Sequence, residues 1–312
     1  MQQRHKARNL IHTVLLVGGS LLLLIACAWL MMGGLGVIWA LLIGGGSLIA
    51  AGRVSPHMVL QMYRGRRLHP SEAPELNGLM RELTARADLP AVPDLYYVAS
   101  RNMNAFAVGR PENAAIAVTD GLLRGLDLRQ LAGVLAHEIS HIRNGDLRVM
   151  AIADIVSRLT SAMAFTGFLL LIVYSPVMMV SGQAVPVNGI LLLMASPTIS
   201  SLLQLALSRA REYEADLDAA GLTGDPEGLA SALVTLERKQ GALWERILMP
   251  GQRIPDPSIL RSHPKTEDRV ARLLSLRPER EPVRVPGRRP RMPIYFIPAV
   301  RPPRFHRTGV WY

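Results

Sequence analysis

The residues richest in chemistry are His137, Glu138 and His141, in the run His137-Glu138-Ile139-Ser140-His141. On a helix, positions four apart share a face, so both imidazoles can reach one ion. Glu138 stands beside the first imidazole, placed to take a proton from water without being a ligand. The six preceding residues, Leu131-Ala132-Gly133-Val134-Leu135-Ala136, are apolar, which predicts a buried helix. Two histidines and a glutamate buried there need a partner, and a metal supplies one. The chain has a single cysteine, Cys27, inside an apolar run, so an internal disulfide and a multi-cysteine zinc site are both excluded. Any metal must be held by His and carboxylates.

A catalytic zinc takes three protein ligands and keeps one position open. The third ligand is sought in Ser208-Arg209-Ala210-Arg211-Glu212-Tyr213-Glu214-Ala215-Asp216. Glu212 and Asp216 are one helical turn apart. One can bind the metal while the other accepts a hydrogen bond from the free nitrogen of a ligating His. Glu214 and Asp218 offer the same spacing on another face, and spacing alone leaves both pairs open. These acids also balance Arg209 and Arg211, a role that needs no metal.

Elements of two kinds must position these groups. Apolar residues make up 49% of the chain and charged ones 19%, below the roughly 25% of soluble domains, so the balance points to a membrane protein. Apolar stretches at residues 10–32 and 35–51 are joined by the uncharged Gly33-Gly34, with Arg4, Lys6 and Arg8 before them and Arg53, Arg64, Arg66 and Arg67 after. A second pair, residues 159–180 and 189–207, is joined by an uncharged connector at 181–188. Arg143 and Arg148 precede this pair; Arg209 and Arg211 follow it. Spans near bilayer length with basic outer flanks predict two transmembrane hairpins whose ends are all cytoplasmic. Between them, residues 71–89 have apolar positions at helical spacing with Ser71 as N-cap. Residues 94–99, 104–108 and 114–119 read as strands, the last two as a hairpin around Arg110-Pro111-Glu112-Asn113. Residues 128–143 read as a helix closed by Asn144-Gly145. The organisation is therefore a basic flank (1–9), hairpin 1 (10–52), a first catalytic part (53–158), hairpin 2 (159–208), a second catalytic part (209–276) and a tail (277–312).

The tail is rich in Pro and Arg and lacks apolar periodicity, which predicts a mostly disordered extension. Its nine Arg against two Glu supply +7 of the formal +11. Anionic lipid headgroups are its expected partner. No reading helix or aromatic stacking platform accompanies the charge, which argues against nucleic acid.

The His-Glu-x-x-His motif, a hydrophobic hairpin and then Ser-Arg-x-x-Glu-Tyr-x-Ala-Asp together resemble the HtpX family of membrane zinc metalloproteases. These are relatives of the CAAX prenyl endopeptidases and members of the wider gluzincins. The resemblance includes Asn104-Ala105-Phe106-Ala107 and His263-Pro264, and runs from the first hairpin to about Leu276. It implies a mostly α, α+β protein: four transmembrane helices in two hairpins and a zincin-type catalytic domain with a small β-sheet. It implies one catalytic Zn2+ held by His137, His141 and Glu212, with Glu138 as general base and Asp216 behind a ligating His. Asn104, Ala105, Phe106 and Ala107 then begin an edge strand that binds substrate by strand addition, and His263 faces the cleft, where it can stabilise the oxyanion. The family more often has Thr where this chain has Ser262. The Pro/Arg-rich tail is not part of the usual pattern.

The implied activity is peptide-bond hydrolysis of misfolded membrane proteins at the cytoplasmic face of a bacterial inner membrane. Two other readings compete. A prenyl-protein endopeptidase shares the chemistry, but its relatives have more membrane spans. A non-catalytic scaffold with a basic recruitment tail has no use for an intact Glu138.

Overall fold

The computed structural model describes residues 2–51, 56–181, 187–244, 266–276, 280–283, 285 and 288–290. The chain opens with α1 (Gln2–Ala51), which is bent back on itself at Gly33. Gly33 has φ +59 and ψ −143, a conformation that side chains with a Cβ resist. Past the bend the chain returns so closely that a Cβ on Gly36 would lie 2.3 Å from the Ala28 carbonyl oxygen. The bend thus falls at the Gly33-Gly34 connector drawn between the two apolar stretches, although the helix already begins within the basic flank. α2 (Pro56–Met62) follows.

A four-stranded sheet carries the catalytic half: β1 (Arg66–Arg67), β2 (Asp94–Val98), β3 (Ala105–Val108) and β4 (Ala115–Thr119), in the order β1-β2-β4-β3. β3 and β4 pair antiparallel as the sequence predicts, with Phe106 opposite Ala117, and β3 lies at the sheet edge. β2 and β4 run parallel. The two-residue β1 has no signal in the sequence, because its exposed arginines carry no alternation. α3 (Pro74–Arg86) turns Leu76, Leu79, Met80 and Leu83 into the core it shares with helices farther along the chain. Its start differs from the expectation: Ala73, not Ser71, is the N-cap, because Pro74 is preorganised for the first helical turn.

α4 (Asp120–Gly125) leads to α5 (Leu128–Asn144), the helix of the His-Glu-x-x-His run. A capping box fixes its start: the Asp127 side chain accepts from Gln130 N–H, and the Gln130 side chain accepts from Asp127 N–H. Gly145, in the left-handed conformation at φ 72, ends it. The chain can therefore enter α6 (Asp146–Ser181) at once. α7 (Val187–Thr223) returns along α6, and α8 (Pro226–Trp244) and α9 (Thr266–Leu274) close the far side of α5 and α7.

Both arms of the second hairpin are continuous helices that run through the boundaries drawn at 158/159 and 208/209. Among the described residues, Val156–Pro176 is the segment long and apolar enough to cross a membrane; Leu21–Leu30, Met32–Ile43 and Val187–Leu202 are shorter apolar helices. Large apolar side chains face outward along these arms, among them Leu22, Trp29, Leu42, Phe165 and Leu202.

The start of the tail, which belongs to the segment expected to be mostly disordered, finds partners. Val283 is buried, and its N–H donates to the Thr223 carbonyl at 2.8 Å. Leu128 N–H, which has no acceptor inside its own helix, donates to the Arg288 carbonyl at 2.9 Å. Arg86 donates to the Leu222 and Glu281 carbonyls, and Arg288 pairs with Glu75. The described residues between 280 and 290 thus strap α3, the start of α5 and the end of α7 together. Burying one Val side chain stabilises by about 1.5–3 kcal/mol. Truncation after Leu276, or Val283→Asp, is expected to lower the melting temperature of the detergent-solubilised protein. A truncated chain that melts with the full-length one would show the strap to be idle.

Candidate metal centre

α5 presents His137 and His141 on one face, and α7 crosses that face with Glu212. The two Nε2 atoms lie 3.2 Å apart, with the rings at 87° to each other. Glu212 Oε2 is 3.5 Å from His137 Nε2, and Oε1 is 3.7 Å from His141 Nε2. One ligand-type atom from each of the three residues falls within a 4.8 Å cluster, and all three residues are buried. This is the one such group of three among the described residues.

Of the acids left open by spacing, α7 brings Glu212 and Asp216 to the imidazoles. Asp216 follows Glu212 by one turn, and its Oδ1 sits 3.1 Å from His137 Nδ1, an ion-pair distance without the alignment of a full hydrogen bond. Glu214 is buried away from the cluster, where its charge acts on Arg211. Asp218 instead accepts from the Asn144 side chain at 2.9 Å, tying α7 to the end of α5. His141 has its own carboxylate: Asp146 Oδ2 lies 2.9 Å from Nδ1. Each imidazole thus shows one nitrogen to the cluster and the other to an acid, which fixes ring orientation and raises basicity.

Two residues here were not singled out from the sequence. Asp146 is reachable only because Gly145 turns the chain within one residue of α5, and that cap was visible in the sequence. Arg269, on α9, donates from Nε and Nη2 to the two oxygens of Asp216 at 2.7 and 2.6 Å. It follows a segment without helical periodicity, and no signal marked it. His263 lies outside the described residues.

Glu138 is buried next to the cluster, and its Oε2 accepts the Ala107 N–H at 3.0 Å. Burial pushes its carboxyl up, while the nearby imidazoles and the Ala107 N–H pull it back. In β3, Thr119 N–H donates to the Asn104 carbonyl, and the antiparallel register then directs the backbone groups of Phe106 to β4 and those of Ala105 and Ala107 outward. The Phe106 ring packs on Tyr63 at 4.9 Å between centroids. A cleft of about 110 Å³ lies against this edge, lined by Asn104, Ala105, His137, Glu138 and Arg269 with Leu229 and Leu233 opposite.

The charges explain why a cation suits the cluster. Glu138, Asp146, Glu212, Glu214 and Asp216 are buried, against the guanidiniums of Arg211 and Arg269. Burial works against a protonated His137, yet Asp216 and Glu212 hold its pKa up, to about 10. Burial pushes Asp216 up, but Arg269 and His137 outweigh it and hold its carboxyl below the usual range. Two imidazole nitrogens and a carboxylate are the donor set of a catalytic zinc site, so the residues fit that ion.

Over residues 70–277 the sequence matches Peptidase family M48. A protease HtpX homolog of Methylibium petroleiphilum is 35% identical over 295 residues, covering 87% of this chain and 99% of the relative. A protease HtpX homolog of Burkholderia mallei is 33% identical over 287 residues, covering 86% and 97%. The crystal structure of S. mikatae Ste24p aligns at a TM-score of 0.48 and 20% identity, over 86% of this chain and 66% of that one. With the metal-type cluster in the matched region and relatives aligned along nearly their whole length, the chain belongs to Peptidase family M48, as an HtpX-like zinc metalloprotease.

Proposed function

We propose that this endopeptidase holds zinc through His137, His141 and Glu212 and cuts membrane proteins at the cytoplasmic surface of a bacterial inner membrane. The observation that carries the site assignment is the convergence of those three side chains on one point, with Glu138 beside them and tied to the edge strand. When bound, zinc supplies Lewis acidity that acidifies water and polarises a carbonyl.

The chain's own residues do the rest. Glu138 accepts the water proton and hands it to the leaving amine. Its tether to Ala107 N–H holds the carboxylate beside the strand that receives the substrate. Ala105 offers its N–H and carbonyl outward, and Ala107 its carbonyl, so an extended peptide can add there as a strand. Asp146 and Asp216 hold the two imidazoles in the tautomers that leave Nε2 free to bind.

The membrane reading rests on the HtpX homologs, the outward-facing apolar arms and the charge flanks. Four spans in two hairpins, with both termini and the site cytoplasmic, fit the basic residues at the outer ends of each hairpin. Membrane-protein substrates are supported by the place of the metal centre, where α6 contributes Asp146 and α7 contributes Glu212, the two helices that carry the apolar arms. Anionic lipid is the proposed partner of the basic tail.

Three measurements test this reading. Glu138→Gln is expected to retain zinc and lose at least about 100-fold in casein cleavage, the order of one acid–base contribution. Cleavage at the wild-type rate would remove Glu138 as the base. Among the acids of α7, Glu212→Ala is expected to lose zinc outright and Asp216→Ala to weaken it about 10- to 100-fold, with Glu214→Ala mildest. If Glu214→Ala empties the site while Glu212→Ala keeps its zinc, the third-ligand assignment falls. A single cysteine placed in the 181–188 connector, in a Cys27-free background, is expected to react with an impermeant reagent from outside the cell. Labelling from the cytoplasmic side alone would invert the topology.

A further inference from the structure

We propose that Arg269 is a positioning residue of the metal centre, holding Asp216 so that Asp216 in turn aims His137 at the ion. The inference rests on the assignment of His137 and Glu212 as ligands.

Arg269 is 5% exposed, and a guanidinium buried so far needs a structural reason. Its Nε and Nη2 take the two Asp216 oxygens at 2.7 and 2.6 Å, the bidentate fork that only Arg can make. Asp216 Oδ1 is shared, lying 2.6 Å from Arg269 Nη2 and 3.1 Å from His137 Nδ1. Nη1 stands 3.6 Å from Glu212 Oε2. One guanidinium therefore touches both acids that border His137.

That arrangement solves a mechanical problem. Asp216 and Glu212 are like charges one turn apart on α7, and repulsion alone would turn the Asp216 carboxylate away from the ligand acid. The fork fixes the plane of the Asp216 carboxylate, and the carboxylate sets the rotation of the His137 ring. The contact also crosses the fold, because Arg269 belongs to α9 and its targets to α7.

α9 provides its own control. It docks on α7 at a second point, where the Arg272 guanidinium lies 4.3 Å from the centre of the Tyr213 ring, and Leu273 seats it in the core. Arg272 touches neither imidazole nor ligand acid. Loss of helix docking and loss of the positioning line can thus be separated.

The test measures zinc affinity by chelator competition on the full-length protein in detergent, with circular dichroism to monitor folding. A cobalt-substituted sample reports the geometry at the ion through its visible absorption. Arg269→Met is expected to weaken zinc about 10- to 100-fold, the range seen when the partner behind a ligating His is lost. Its cobalt spectrum should shift as well. Arg269→Lys keeps the charge without the fork and should fall between Met and wild type. Arg272→Ala should leave zinc affinity and the cobalt spectrum unchanged, whatever it does to the melting temperature. Wild-type affinity in Arg269→Met overturns the proposal, as does an equal loss in Arg272→Ala. Should Arg269→Met fail to fold, Arg269→Lys decides, and an affinity matching the wild type counts against the fork. A wild-type protein that binds no zinc would instead overturn the ligand assignment on which the proposal rests.

Discussion

A carboxylate removed from water costs several kcal/mol unless a positive charge meets it. Around His137 and His141 this protein buries the carboxyl groups of Glu138, Asp146, Glu212 and Asp216, with Glu214 farther off, and two guanidiniums. Much of the surrounding architecture answers that imbalance. Arg269 is brought in on its own helix to meet Asp216, and Arg211 lies 3.8 Å from Asp146. Even so, negative charge remains in excess, and it concentrates where two imidazoles and Glu212 converge. A divalent cation is the compact way to meet it. Asp216 and Glu212 also hold the His137 pKa up against burial.

The second constraint is mechanical. Asp146 stands at the first residue of α6, and Glu212 and Asp216 lie near the last turns of α7. The two arms of the second hairpin therefore start and end in the metal centre, with no loop between the apolar arm and the functional residue. Packed helices keep their geometry along their length, so the separation of α6 and α7 in the apolar region bears on the distance between Glu212 and the α5 imidazoles. The Asn144–Asp218 hydrogen bond and the Gly145 turn hold the junction where the three helices meet.

The legible parts of the sequence were those fixed by local chemistry. The His137/His141 spacing, the Asn144-Gly145 stop and the short strand runs at 104–108 and 114–119, split by Arg110-Pro111-Glu112-Asn113, each carry their cause within a few residues. The α7 acids were half legible: both pairs had the right spacing, the resemblance favoured Glu212, and the crossing of α5 by α7 separates them in space. Ser71 misled because a proline three residues on set the helix start instead. The contacts of Arg269 and the tail strap were not legible, since each depends on a partner more than fifty residues away. Pro-rich, Arg-rich composition describes what a segment cannot do alone. It does not exclude backbone hydrogen bonds to a helix end that lacks acceptors, which is what Arg288 offers Leu128.

On the proposed mechanism, one strand both receives the substrate and holds the base. The outward groups of β3 alternate, and Ala107 N–H is already taken by Glu138. An added peptide strand then has the Ala105 N–H and carbonyl and the Ala107 carbonyl as its partners. A peptide paired there lies beside the Glu138 carboxylate and the His137 imidazole, which line the same cleft. Main-chain pairing of this kind reads extended backbone more than side-chain identity. That suits an endopeptidase that takes polypeptide in an extended form.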